Sequence, residues 1–257
     1  MAKSGKLVVR RLYVHELTDQ IIEDLWQIFS SGYEQIRHET FLSDLQEKTG
    51  VCIAYDSGDQ SIQGFSTYKL YAHRYDGKVV SVLFSGDTMV NKEYWGQGSM
   101  HAALALEALR FKLKHPFRPL YYFMISMGYR TYLAIAKNLA GSCWPNHAAP
   151  TPAWEQGLID SLSRARFGAA YKPESGLIVN DECAGTLKST VAPIVGQVLE
   201  LDEIKFFVKA NPTYYLGHEL ACIARVDFST FARLVLKFSM KTQHKKTAPS
   251  AELHVAR

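Results

Sequence analysis

The chain has 257 residues, 47% of them hydrophobic and 21% charged, with a formal net charge of +4. That is enough apolar material for one large core or two small ones, and too mild a charge for a general nucleic-acid binder. No run of about 18 apolar residues marks a membrane span, and the start, MAKSGKLVVRR, has no apolar region behind its charges, so no secretory signal is read there. Cys52, Cys143, Cys183 and Cys222 lie far apart with no C-x-x-C spacing. Neither a structural zinc site nor a disulfide framework is expected, and the reading is a reducing cytoplasm.

Lys6–Val14 reads as a first strand. Thr18 is placed to cap a helix whose apolar stripe is Ile21, Ile22, Leu25, Ile28 and Phe29. A second helical stretch is read over Tyr33–Lys48, with Ile36, Phe41, Leu42 and Leu45 inward. Val51–Tyr55 and Ile62–Ala72 form a hairpin about the turn Asp56-Ser57-Gly58-Asp59. Asp76-Gly77 then turns the chain into Val79–Val90, an apolar, β-branched run suited to a central strand buried on both faces.

The period then changes. Gly96-Gln97-Gly98 punctuates the chain, Ser99 occupies an N-cap position, and Ala103, Leu104, Leu106, Leu109 and Leu113 recur at helical spacing. The first amides of a helix lack partners and sit at its positive end, so such a junction can hold an anion. Glycines without a Cβ let a phosphate approach, although a Gly-x-Gly alone is equally an ordinary tight turn. No Gly-Lys-Ser/Thr ending makes it a P-loop, and His101 replaces the third glycine of a dinucleotide fingerprint.

After the helix, Pro116 and Pro119 bracket a loop. Leu120–Met127 reads as a buried strand, Arg130–Asn138 as a short helix, and Ala153–Phe167 as another helix. Weak strands are read at Gly176–Val179 and Ile204–Val208, then an apolar run at Leu220–Val226 and a final helix at Phe228–Phe238. No repeat or linker divides the chain, so residues 1–238 read as one domain (core 6–140, extension 141–238). The basic tail 239–257 is expected to be disordered.

Strand, two helices, three-strand meander, glycine junction, long helix, strand and short helix is an order that resembles the GNAT acyltransferase fold, over Lys6 to about Asn138. The resemblance implies an α+β fold, with a mixed, mostly antiparallel central sheet flanked by helices and followed here by a C-terminal extension. In that family the junction carries Arg/Gln-x-x-Gly-x-Gly/Ala, whose amides hold the pyrophosphate of coenzyme A. Glu93-Tyr94-Trp95-Gly96-Gln97-Gly98 keeps both glycines and departs at Glu93, which is expected to point away, because a carboxylate repels a pyrophosphate. The segment is also similar to N-acyl amino acid synthases and autoinducer synthases, which draw on acyl carrier protein. Tyr33, Arg37, Glu39, Phe41 and Asp44 would match the charged and aromatic residues those relatives carry before the second strand.

What the resemblance implies is an N-acyltransferase that moves an acyl group from acyl-coenzyme A, or from acyl carrier protein, to a primary amine by direct attack. The alternative is a binding protein of this fold for coenzyme A or an acyl carrier, without catalysis. The expected donor-binding set is Met89, Val90, Trp95, Gly96, Gln97, Gly98, Ser99 and Met100, with Asn138 either at the carrier arm or a helix C-cap. The main chain of Thr88, Met89 and Val90 would polarise the thioester carbonyl as an oxyanion hole does. Asp87 is the first candidate base, since a carboxylate inside an apolar strand needs a partner or a purpose; otherwise it shapes a bulge at Gly86. Glu39 is the second, against a solvated helix residue. Tyr132 would protonate the leaving thiolate, unless it simply packs, as most of the 14 tyrosines must.

Other features have plainer readings. His101 is expected to face solvent. His218-Glu219 lacks H-E-x-x-H spacing, so no metal is inferred. Cys183 and Cys222 are nucleophiles in principle, but neither has a local base, and both read as small buried hydrophobes. Arg110, Lys112, Lys114, His115 and Arg118 either complement a helix dipole or dock an acidic carrier. Tyr121, Tyr122, Phe123, Trp144 and Trp154 suit an acyl tunnel or a core. Neither the oligomeric state nor the amine acceptor is legible.

Overall fold

Runs of Val, Ile, Phe and Tyr at alternating positions pair into a mixed sheet in the computed structural model, which describes residues 5–139, 141–179, 186–187 and 199–233. The first half runs β1 (Leu7–Tyr13), α1 (Asp19–Gly32), β2 (Tyr33–Glu34), α2 (His38–Gln46), β3 (Gly50–Asp56), β4 (Ile62–Tyr75) and β5 (Lys78–Val90). It continues with α3 (Ser99–Lys114), β6 (Leu120–Ser126), α4 (Tyr129–Asn138), β7 (Cys143–Trp144) and α5 (Ala153–Phe167). The remainder is β8 (Tyr171–Lys172), β9 (Leu177–Ile178), β10 (Thr186–Leu187), α6 (Asp202–Ala210) and β11 (Glu219–Val226). The strand order is β1-β3-β4-β5-β6-β11-β9-β8, with β7 on β11. Every pairing is antiparallel except β5 with β6. This is the mixed, mostly antiparallel sheet flanked by helices that the element order led one to expect.

Strand alternation divides the core into two faces. On one, α3, α4 and α6 cover Cys52, Tyr68, Leu83, Tyr122 and Met124. On the other, α1 and α2 bring Leu25, Phe29, Phe41 and Leu45 onto Val51, Ile53, Phe65 and Met89. Beside them, α5 sets Leu158, Ile159 and Leu162 on Val80, Val82, Phe84 and Phe123. Each of these large side chains contributes about 1.5–3 kcal/mol by leaving water. No helix among the described residues is long and apolar enough to cross a membrane.

Local chemistry places several boundaries as expected. Thr18 Oγ1 accepts from the Ile21 amide at 3.3 Å and caps α1. Three expectations are corrected. The stretch 33–48 is not one helix, because Tyr33–Glu34 pairs with Thr186–Leu187 and α2 begins only at His38. Ile204–Val208 is not a strand but lies within α6, where Ile204 and Phe207, three apart, fall on one buried helical face behind Asp202 and Glu203 in the first turn. Ser99 is the first helical residue of α3, and the cap is Gly98. Of the expected last helix, residues 228–233 are helical; positions 234–257 and Cys183 lie outside the described residues.

β5 is where the sheet changes character. Its parallel pairing with β6 runs from Ser81–Leu120 to Ser85–Met124 and then stops, while its pairing with β4 continues to Val90–Gly64. At the same level the β4 register shifts, so that Thr67 alone faces Gly86 and Asp87, which is a β-bulge. The bulge turns the Asp87 side chain toward α2 and α5, and beyond it β5 and β6 splay apart.

Candidate active site

The splay opens into a cleft of about 620 Å³, within the usual range for small-molecule sites. Residues 85–90 of β5 form one wall, Tyr122, Met124, Ile125 and Met127 the other, and residues 94–101 close one end. Strand amides that have lost a neighbour are unusual in a protein interior. The Asn91 amide donates to Gln63 O at 2.9 Å, so it points toward β4. By alternation the amides of Val90 and Thr88 face the gap, whereas that of Met89 faces β4. The Val90 carbonyl, on the gap side, accepts from Trp95 Nε1 at 2.6 Å.

The end of the cleft is built to receive an anion. Gly98 caps α3 with φ of +71°, Gly96 has φ of +83°, and a Cβ at either would meet open space. These positive angles demand glycine; the space in front of them is what a ligand would fill. α3 is 16 residues long, has no side-chain cap and has no acid in its first turn, so its amides keep their attraction for negative charge. Arg130, at the start of α4, stacks its guanidinium 4.5 Å from the Trp95 ring, and Lys92 Nζ lies 5.9 Å from the same ring. Glu93 is exposed and does not line the cleft. Gln97 is tied down: its side chain accepts from Leu7 N at 3.0 Å and donates to Gly5 O at 3.1 Å, leaving its main chain to face the cleft.

At the other end, Asp87 meets charges from three elements. Asp44 of α2 faces it, and Lys48 and Arg166 lie close enough to pull against its burial. Arg166, from α5, donates from Nη2 to Asp44 Oδ1 at 2.9 Å and stacks 4.3 Å from the Phe84 ring. The Lys48 side chain is fully buried and ion-paired with Asp44. Gly86 makes room for it, since a Cβ there would lie 2.6 Å from Lys48 Cε and 2.4 Å from Thr67 Oγ1. Burial first, and then the negative charge of Asp44, push the Asp87 carboxyl up to about 6, with Lys48 and Arg166 acting in the opposite direction. Tyr33 also faces this end; burial, and then Asp87 and Glu219, push its hydroxyl pKa far up, which keeps it protonated.

The structure therefore brings together Asp87, Met89, Val90, Trp95, Gly96, Gln97, Gly98, Ser99 and Met100, all of which line the cleft. The other proposed residues lie elsewhere. Tyr132 is fully buried, donates to Pro145 O at 3.1 Å and packs on Phe206 and Phe207, so its hydroxyl does not reach the cleft. Glu39 is exposed on α2 and outside the lining, and Asn138 lines a separate apolar cavity of about 80 Å³ between α3 and α4. Among the aromatic residues weighed as a tunnel, Tyr122 reaches the cleft; Tyr121, Phe123, Trp144 and Trp154 pack beneath α5. Cys222 is no nucleophile, because burial raises its thiol well above the ordinary value. His101 is exposed, at the cleft mouth.

Lys48, Arg130, Arg166 and Glu219 are the site residues that sequence reasoning missed. The extension supplies two of them, Arg166 from α5 and Glu219 from the start of β11. His218, which precedes β11, is held by another contact, its Nδ1 2.8 Å from Thr213 Oγ1.

No protein-family model matches the chain, and no curated protein does. Among solved structures it is similar to a probable N-acyltransferase from Enterococcus faecalis, at 13% identity and TM-score 0.38, over 51% of this chain and 32% of that one. It is also similar to a GNAT family N-acetyltransferase from Escherichia coli in complex with CoA, at 14% identity and TM-score 0.35, over 52% and 69% of the two chains. A third is glucosamine-6-phosphate N-acetyltransferase from Arabidopsis thaliana, at 13% identity and TM-score 0.35, over 52% and 90%. The chain thus spans about a third of the Enterococcus protein.

Proposed function

We propose that the chain is an N-acyltransferase whose donor thioester lies in the splay between β5 and β6. The observation that carries this reading is the coincidence, in one cleft, of strand amides without a neighbour, a helix N-terminus without a side-chain cap and the Asp87 carboxyl at a bulge. The donor's phosphates rest on the first amides of α3, beside Arg130 and Lys92. The thioester carbonyl points at the gap-facing amides of Val90 and Thr88, which stabilise its oxygen as charge develops there. The donor is acyl-coenzyme A or an acyl carrier protein bearing the same pantetheine arm.

The acceptor is a primary amine entering from the α2 and α5 side, between Tyr33, Arg166 and Glu219. Asp87 accepts its proton as nitrogen attacks; a base whose pKa is near 6 is largely ionised, and so ready for that role, at neutral pH. The N–C bond forms, the C–S bond breaks, and the departing thiolate collects a proton, so thioester and amine become amide and thiol. No covalent enzyme intermediate is needed. The test is thiol release from acetyl-coenzyme A, a long-chain acyl-coenzyme A and an acyl carrier protein over a panel of primary amines. Amine-dependent release that disappears in Asp87→Asn supports the reading. Donor binding without release by any amine would leave a binding protein of this fold.

A further inference from the structure

We propose that the end of the molecule opposite the cleft docks on an anionic membrane surface, with Phe117 as the residue that enters the lipid. β5 and β6 both run toward the cleft, so their starts, the ends of β4 and β11 and the C-terminus of α3 gather at the far end. The 16 residues of α3 place that end about 24 Å from the anion site. There Phe117 is 97% exposed and Leu113 66%. Phe228 joins them, its ring 5.5 Å from Lys112 Nζ.

The loop that carries Phe117 is held firmly. The buried Lys112 ammonium donates to Pro116 O at 2.8 Å and Arg118 O at 2.9 Å. The Ser81 amide donates to Pro119 O at 2.8 Å. A buried cation spent on the two carbonyls that flank Phe117 fixes the ring in solvent, where an apolar side chain gains nothing. Lys112 is therefore not a docking charge, contrary to one reading of the basic run.

Lys114, Arg118, Lys78, Arg74 and Arg225 are exposed at the same end, and none forms an ion pair among the described residues. Among the described residues the carboxylates there are Asp76, Glu155 and Asp227, and Asp227 is occupied by the Thr230 amide and the Ser229 hydroxyl. Cations around a projecting aromatic ring match a lipid interface, where the cations meet headgroup phosphates and the ring enters the acyl boundary. The chain's own tail is a poor occupant, since 239–257 holds Lys241, Lys245, Lys246 and Arg257 against Glu252. An acidic carrier docked here would hold its thioester on the wrong side of the molecule.

The experiment is flotation of the full chain with vesicles of phosphatidylcholine alone or with phosphatidylserine. Binding is expected only with phosphatidylserine, and should weaken with salt. Replacing two cations in Lys114→Gln/Arg118→Gln should lower the partition about thirtyfold, at about fivefold per cation. Phe117→Asp should lower it at least as much. Both variants should keep wild-type thiol release from a soluble donor, which separates this face from the cleft. No binding by the wild type, equal binding to the two vesicles, or binding untouched by either change would each overturn the proposal.

Discussion

Asp87→Asn should make the protein more stable while it stops turnover. The Asp87 carboxyl sits at about 6 in the fold against an ordinary 3.8, for reasons of burial and the facing Asp44. The folded state therefore keeps this proton at a pH where the unfolded chain has lost it. Stability falls as pH rises from about 3.8 through 6, and the whole penalty is present above that. The difference of about two in pKa, at 1.36 kcal/mol each, amounts to about 3 kcal/mol. Asparagine fills the same space without a charge to desolvate, so near pH 8 the variant should gain up to about 3 kcal/mol, or about 6–12 °C in Tm for a chain of this size. Below pH 4 the two proteins should melt together. Loss of the base should meanwhile cost about 10²–10⁴ in kcat, with donor affinity unchanged. Thermal melts from pH 3.5 to 8.5, paired with a thiol-release assay, read both effects. A variant with wild-type rate, or a Tm difference that does not depend on pH, would refute the assignment.

Three further substitutions probe the remaining parts. Gly86→Ala drives a Cβ to 2.6 Å from Lys48 Cε and 2.4 Å from Thr67 Oγ1, so it should cost about 1–3 kcal/mol by overpacking and lower kcat as Lys48 and Asp44 shift; a melt and an assay identical to wild type would show that the bulge tolerates a side chain. Gly98→Glu meets no atom but must hold φ near +71°, at about 1–2 kcal/mol, and it puts a carboxylate before the α3 amides; calorimetry should show donor binding lost in a folded protein. Tyr132→Phe removes one hydrogen bond to Pro145 O, which should lower stability by about 1 kcal/mol and leave kcat unchanged; a hundredfold loss of rate would return Tyr132 to the reaction.

Local pattern made the first half of the fold legible. The stripe behind Thr18, the hairpin turns and the glycine junction each fix structure through their own residues, and β3, β4, β5, α1 and α3 follow from them. Asp87 stood out for a local reason too, as a carboxylate beside a glycine in an apolar strand. Its partners did not. Lys48 meets Asp44 through helical i,i+4 spacing, but Arg166 lies 118 positions beyond Lys48, and only the packing of α5 beside α2 brings it to the same carboxylate. Gly86 was the available signal, because a glycine inside a strand marks close approach by another group. Tyr132 misled because its place after β6 says nothing of which way its ring turns; α6 buries it. Ile204–Val208 was ambiguous because a five-residue stretch with four apolar residues fits either period.

The central claim is that the glycine junction and the splay hold an acyl donor. Native mass spectrometry of the purified chain with acetyl-coenzyme A, a long-chain acyl-coenzyme A and an acyl carrier protein in turn, beside Gly98→Glu, tests it most directly. The account predicts a one-to-one adduct with at least one donor, absent in Gly98→Glu. No adduct with any of the three, or an adduct that Gly98→Glu leaves intact, would contradict it.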